Sequence, residues 1–262
     1  MSGKQFETIL YEKSGPVATL TMNRPDRLNG MTTQMLREAY ECLTAAAEDR
    51  ELKVLVLTGA GKSFCPGADL QLTAASGTAG DERSNTDNFR VPLLLHTMPA
   101  VTIAAINGAC AGAGLGWALA CDLRYAAPSA RFNTAFLDVG VAGDMGGPWS
   151  LPRIVGAAKA RELYFIPDKF DANEAARIGL VSKVFPDETF RNDVGAVVQR
   201  ISEAAPIALR TMKAHFVDAE RMDFAAYIEL ETAHHLPMFN THDTREAFSA
   251  KVEKRKPRFI GR

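Results

Sequence analysis

Residues 101–122, VTIAAINGACAGAGLGWALACD, set a β-branched apolar run (Val101–Ile106) before a Gly/Ala-rich turn (Gly108–Gly116) and an apolar helix (Trp117–Cys121). So many small residues between a strand and a helix let something approach the backbone closely. Peptide N–H groups at a helix N-terminus hold a negative charge without any side chain. The chemistry this turn suits is stabilisation of an oxyanion. A carboxylate able to move protons follows in Gly140–Gly147 (GVAGDMGG), at Asp144. Met145, Phe136, Val141 and Trp149 offer it an apolar wall, and desolvation raises a carboxyl towards useful base strength. Asp144 is equally well placed to cap a helix beginning near Gly146, since Asp is a preferred capping residue. Asp138, in Phe136-Leu137-Asp138-Val139-Gly140, reads as structural.

Two nucleotide-binding readings fail on spacing. Gly112 and Gly114 are followed at the third place by Trp117, which breaks the dinucleotide fingerprint. Gly61-Lys62-Ser63 resembles the end of a phosphate loop, but Val56 stands where its first glycine belongs. His234-His235 lie in a helical pattern without the HExxH frame, so no metal is expected. Cys65 reads as a packed thiol rather than a nucleophile. Trp117 reads as core or pocket wall.

The elements that must position these groups follow from periodicity. Phe6–Tyr11 and Val17–Met22 alternate around Gly15-Pro16 and predict a hairpin. Asn23 and Asn29 belong to turn chemistry. Thr32 or Thr33 caps a helix to about Ala47, with Met35, Leu36, Ala39 and Leu43 on one face. Val54–Thr58 predicts a strand buried on both faces. Strands at Val101–Ile106 and Leu123–Ala126 with helices between them predict a β/α core with a parallel sheet. Residues 73–88 read as a mobile surface loop. Beyond Pro186 the pattern turns helical over 190–204, 207–219, 224–235 and 245–255. The expected division is a core over 1–186 and a helical region over 187–262. The latter is too thin to bury its own apolar face, so it should pack on the core or on a neighbouring subunit.

The 262 residues are 47% hydrophobic and 23% charged, an ordinary globular composition. A net charge of −1 leaves no footprint for nucleic acid. The four cysteines form no CxxC pair, which fits reduced thiols in a cytoplasmic protein. No leader-type apolar core opens the chain, and no apolar run reaches membrane-spanning length.

Five ordered segments carry a family resemblance: Asn23–Asn29 (NRPDRLN), Val54–Gly59 (VLVLTG), Ser63–Leu70 (SFCPGADL), the glycine turn at 106–116, and Glu253–Phe259 (EKRKPRF). Over nearly its full length the chain resembles the crotonase (enoyl-CoA hydratase/isomerase) superfamily. The resemblance implies a ββα spiral core with a C-terminal helical trimerisation region. It implies an acyl-CoA thioester substrate, no cofactor beyond the coenzyme A of that substrate, and self-association as a trimer or hexamer. By resemblance, the backbone N–H groups of Ala68 and Ala113 polarise the thioester carbonyl, Ala113 standing where the family often has glycine. Arg27, Leu28, Asp69, Leu70, Gly112 and Phe136 border the substrate. Asp69 could equally be a cap or part of a buried ion pair. Lys251 and Phe259, with Lys254, Arg255 and Lys256, reach a neighbouring subunit's CoA or form a solvated basic tail.

The family's hydratases use two glutamates to split water. One falls at Gly116 here and the other at Phe136, and neither residue does acid–base work. A lone carboxylate at Asp144, as in some isomerases similar to this segment, suits a proton shuttle. The reaction implied first is double-bond isomerisation with Asp144 as acid/base. The alternatives are an enoyl-CoA hydratase working without the glutamate pair and a catalytically silent acyl-CoA binder. A further alternative makes Asp144 a nucleophile, as in the family's aromatic dehalogenases, with His96 the nearest histidine to serve as base.

Overall fold

A computed structural model of the protein describes residues 5–72 and 86–262. The predicted hairpin forms as β1 (Ile9–Ser14) and β2 (Val17–Met22), antiparallel and in register Ile9 to Met22. Parallel strands then extend it through β3 (Val54–Gly59) and β4 (Val101–Ile106). A short β5 (Ala109–Ala111) leaves this sheet, which continues with β6 (Leu123–Ala126). A second, three-stranded sheet joins β5 to β7 (Arg131–Asn133) and β8 (Phe170–Asp171), and β9 (Lys183–Val184) closes the first one. The larger sheet therefore has the order β1-β2-β3-β4-β6-β9.

The continuous apolar run of β3 is explained by cover on both faces. Leu55 and Leu57 enter the main core with Met35, Ala39 and Leu43 of helix α1 (Thr33–Ala47). Thr32 caps α1 by accepting from the Met35 N–H at 3.1 Å. Val54 and Val56 face the other way, with Ile103, Ala105 and Tyr125. Helix α2 (Val91–Thr97) packs into the main core through Val91 and Leu95. Residues 86–90, at the end of the expected surface loop, form a 3-10 turn. The rest of that loop, 73–85, lies outside the described residues.

One boundary differs from expectation. The glycine turn is not a turn throughout. Helix α3 starts at Gly112 and runs to Ala120, every one of its residues buried. Three glycines in nine positions each cost helix propensity, roughly 1 kcal/mol against alanine. Tertiary packing outweighs that cost, because neighbouring backbone lies where the missing side chains would be. A Cβ on Gly114 would overlap the Cys65 carbonyl.

Helices α4 (Gly147–Val155), α5 (Ala157–Phe165) and α6 (Ala172–Arg177) cover the side of the core beyond α3. The C-terminal region begins with α7 (Phe190–Ser202), which lays Phe190, Val194 and Val198 on the second face of the sheet. Helix α8 (Pro206–Ala219) is tied to the core by the buried Lys213. Its ammonium donates to Leu95 O at 3.2 Å, Ala100 O at 3.1 Å and the Asp122 carboxylate at 2.6 Å. Helix α9 (Phe224–Met238) buries none of its residues, and α10 (His242–Val252) starts three residues earlier than its periodicity predicts, capped by Thr241. Among the described residues no helix is long and apolar enough to cross a membrane.

Candidate active site

Two loops meet where the turn chemistry places them. Asn29 is fully buried with φ 63°, and its amide donates to Ala60 O at 2.9 Å and Ser63 O at 2.7 Å while accepting from the Arg24 N–H. It acts as the expected turn former. Asn107 donates to Gly59 O at 2.9 Å and Gly61 O at 3.0 Å, fixing the same turn from the β4 side. The chain then runs beside β5: Cys65 N–H donates to Ala109 O at 2.8 Å, and Ala111 N–H to Cys65 O at 3.0 Å. Gly67 takes φ +102°, which only glycine adopts readily, and lies so close to the start of α3 that a Cβ would stand 3.6 Å from both Ala113 N and Gly112 Cα.

The result is one corner with two amides. Ala68 is exposed, flanked by Met31 N–H to Gly67 O and Asp69 N–H to Met31 O. Ala113 is in the first turn of α3, where an N–H has no intrahelical partner. Neither N–H donates to an acceptor among the described residues. Both lie at the positive end of α3, a place for a developing negative charge.

The Asp144-Met145 turn meets α3 at Gly116. Gly116 is one helical turn beyond Ala113 on the same face, a rise of roughly 4.5 Å. A Cβ there would stand 2.5 Å from Met145 Cβ and 3.1 Å from Met145 O. The Asp144-Met145 turn is thus pressed onto the helix whose first turn carries the Ala113 N–H. Met145 is buried with φ 49°. Asp144 is not the N-cap residue of α4. The N-cap is Gly146 at φ 72°, without a side-chain cap bond, and Asp144 contributes its carbonyl to the Gly147 N–H at 3.0 Å.

Beside the turn lies a cavity of about 390 Å³, a volume usual for small-molecule sites. Phe136, Gly143, Pro148, Pro152, Arg161 and Tyr164 are among its walls. The Phe136 and Tyr164 rings are stacked, with centroids 6.2 Å apart and planes 18° from parallel. Burial, and then the negative charge of Asp144, push the Tyr164 phenol well above its ordinary value. Two members of the expected wall are elsewhere. Val141 is exposed, and Trp149 is 43% exposed, held between the Arg153 guanidinium at 3.8 Å and the edge of His96. Tyr164 and Pro148 take their place. Tyr164 belongs to no motif, so no sequence signal singled it out.

Asp69 settles as an ion-pair residue. Its carboxylate takes Arg24 Nη2 at 2.8 Å and the Leu72 N–H at 3.3 Å, while Arg24 Nη1 also donates to Gly30 O. Burial alone would raise its pKa, but these bonds and the guanidinium charges hold it below the ordinary carboxylate range. Arg27 donates to Gln71 Oε1 at 2.6 Å, which lays the 25–28 turn along the segment after Ala68. Leu28 and Leu70 are exposed on the two neighbouring segments. The thiol of Cys65 is buried and pushed up to about 12, a packed group as expected. Asp138 is exposed. His96 bonds Glu220 at 2.9 Å and has the edge of Trp149 beside it.

Lys251 and Phe259 do not join this corner within one chain. The tail folds back on α10: Arg255 grips Glu246, Ile260 and Gly261 N–H groups donate to Asp243, and Gly261 lies against Pro206. Lys256 pairs with Glu203 at 2.6 Å. These anchors stand by Lys53, whose ammonium donates to Ser202 O and Ala204 O at the start of β3. The corner with the Ala68 and Ala113 amides follows the other end of that strand.

Comparison with known proteins bears on the family and the fold. The model of the family described as enoyl-CoA hydratase/isomerase matches residues 12–262. The chain is 35% identical over 261 residues to a 1,2-epoxyphenylacetyl-CoA isomerase of Escherichia coli, covering 98% of this chain and 100% of that one. It is 33% identical to a crotonyl-CoA hydratase of Syntrophomonas wolfei, covering 98% and 99%. The crystal structure of a putative enoyl-CoA hydratase from Streptomyces coelicolor superposes with a TM-score of 0.93 at 32% identity, covering 100% and 97%. Isomerases and hydratases thus stand at similar distances. The chain belongs to the enoyl-CoA hydratase/isomerase family, within the crotonase superfamily.

Proposed function

We propose that this protein is an acyl-CoA isomerase in which Asp144 is the acid/base and the Ala68 and Ala113 N–H groups hold the thioester oxyanion. The observation that carries the reading is the contact at Gly116. The position where a hydratase's first glutamate would stand is filled by Met145, and the second position holds the buried Phe136 ring. Asp144 is left as the carboxylate at the turn beside the corner.

The thioester carbonyl enters between the two amides. Asp144 takes a proton from C2 of a 3-enoyl-CoA, and the electron pair moves into a dienolate whose oxygen the amides stabilise. Each preorganised donor contributes about 3 kcal/mol to such a charge. Asp144 then returns the proton to C4, leaving the double bond between C2 and C3. No cofactor takes part, because the coenzyme A belongs to the substrate. Leu28, Leu70, Arg27 and Gly112 border the thioester arm, and Asp69 keeps that border in place through Arg24. The acyl group points into the cavity of Phe136. Exposed apolar side chains on the C-terminal helices, including Phe216, Phe224, Leu236 and Phe248, support self-association as a trimer or hexamer. In that assembly Lys251 and Phe259 would serve a neighbour's CoA.

The test is deuterium wash-in. Wild type and Asp144→Asn are incubated in D2O with 3-enoyl-CoA and 2-enoyl-CoA, and mass spectrometry follows exchange, double-bond migration and 3-hydroxyacyl-CoA. Exchange and migration without hydration, lost in Asp144→Asn with CoA-ester binding intact, is the expected result. Rapid hydration by wild type, or undiminished exchange in the variant, would overturn the assignment.

A further inference from the structure

We propose that Tyr164 is the positioning residue for Asp144, its phenol hydroxyl acting as a stop on Gly147 that fixes the acid-bearing turn against α3. The inference rests on the role given to Asp144 above. Three observations converge on this side chain. A Cβ on Gly147 would overlap the Tyr164 hydroxyl, and one on Gly143 would stand 2.7 Å from Pro148 Cγ and 3.0 Å from Tyr164 Cε1. The tyrosine therefore fills a slot opened by two glycines, one on each side of Asp144. Its ring is held from behind by stacking on Phe136. The backbone before Gly147 is held in uncommon torsions. Gly146 is left-handed, Met145 is a left-handed non-glycine, and α4 starts without a side-chain cap. A turn built this way needs an external stop, and among the described residues the hydroxyl is the group that touches it at Gly147 from the cavity side.

The stop sits opposite the other fixed point. Gly116 brings α3 onto Met145, and Tyr164 brings α5 onto Gly143 and Gly147. Asp144 is clamped between two helices by contacts flanking it on both sides. The phenol stays neutral in this place, so it adds no charge to compete with the carboxylate.

Gly147 offers a clean test, because its φ is not left-handed and alanine is sterically allowed there apart from the phenol. With the hydroxyl removed, the nearest atoms to a new Cβ are Tyr164 Cζ at 3.5 Å and Leu119 Cδ1 at 4.0 Å, ordinary contacts. The experiment is a double-variant cycle of Gly147→Ala and Tyr164→Phe, read as α-proton exchange in D2O. The probe is whichever of butanoyl-, 3-hexenoyl-, octanoyl- and phenylacetyl-CoA wild type exchanges fastest. Gly147→Ala should lower kcat on the order of a hundredfold, the cost of displacing a catalytic group by about 1 Å, with KM within about twofold. Tyr164→Phe alone should cost less than about tenfold. The double variant should recover at least about tenfold over Gly147→Ala. If Gly147→Ala fails to fold, Tyr164→Ala substitutes for it and should show the same fall in kcat with little change in KM.

Losses that simply multiply in the double variant, or that fall on KM rather than kcat, overturn the inference. Asp144→Asn is run beside the cycle. If it retains exchange, or wild type exchanges none of the four, the assignment of Asp144 fails and this inference with it. If it is inactive while the cycle shows no recovery, only the role of Tyr164 fails.

Discussion

Gly116→Ala adds a single methyl group to α3 and tests how the acid is placed. Inside a helix the exchange should be favourable, by up to about 1 kcal/mol. Here the new Cβ would stand 2.5 Å from Met145 Cβ, about 1 Å short of ordinary contact. The opposing atom belongs to a Cβ on a constrained left-handed backbone, so it cannot swing aside as a side-chain tip would. Either the turn retreats from α3 by about 1 Å or the helix shifts. Overpacking of this kind costs about 1–3 kcal/mol, offset in part by the propensity gain. Net destabilisation should therefore be small, about 1–2 kcal/mol, whereas proton transfer should fall on the order of a hundredfold, because Asp144 rides on the displaced turn. The assay pairs thermal unfolding with α-proton exchange in D2O. Exchange within about threefold of wild type in a folded Gly116→Ala protein would refute the reasoning, since Asp144 would then not depend on the Gly116 contact.

Gly67→Ala should be costly in both stability and turnover, because a φ of +102° strains alanine by about 1–3 kcal/mol and its relief moves the Ala68 N–H; parallel melts and exchange rates check this. Lys213→Met should destabilise by about 3 kcal/mol, visible in urea unfolding, since Leu95 O and Ala100 O lose a buried donor and Asp122 loses its cation. A loss below about 1 kcal/mol would show that α8 does not depend on that tie. Glu38→Gln carries a pH signature. Burial raises the Glu38 pKa, but bonds from Thr8 Oγ1, the Thr8 and Glu7 N–H groups and Gln34 outweigh it and leave the net shift downward. A lowered folded pKa means stability that is present above the unfolded value and lost as pH falls through the folded one. The variant should melt below wild type at pH 7, and the gap should close in acid. A constant gap from pH 7 to 3 would contradict the assignment.

Much of the architecture is legible because the sequence states it twice, in periodicity and in punctuation. The hairpin has alternation and Gly15. Helix α1 has its apolar face and Thr32. The run at Val54 is too apolar for a sheet with one wet face, and α7 supplies the second cover. Legibility fails where tertiary contact overrides local preference. Gly112, Gly114 and Gly116 read as a turn because glycine disfavours helix, yet α3 runs through all three. Their information lies in what they admit from outside: the Gly67 backbone, the Cys65 carbonyl and Met145. Windows along the chain cannot show such partners, since Gly116 and Met145 are 29 positions apart.

The site divides in the same way. In the proposed mechanism Ala68 and Ala113 act through peptide groups, so their side chains carry no sign of it. What points to them is ordered resemblance together with Gly67, the residue that lets the two segments touch. Asp144 is visible as an acid, but its sequence fits a helix cap equally well, and the N-cap position of α4 is taken by Gly146. Asp69 looks like a substrate contact by position, yet its carboxylate is taken by Arg24, 45 residues away. Tyr164 is the least legible, because a tyrosine on a helix has no motif and its meaning lies in the space that Gly143 and Gly147 leave. Those glycines in turn look like loop flexibility until the ring is seen between them. A carboxylate flanked by glycines is mobile in isolation. Clamped between α3 and α5 it would become the fixed base that the proposed mechanism needs, and the clamp consists of the residues whose local preferences say least about it.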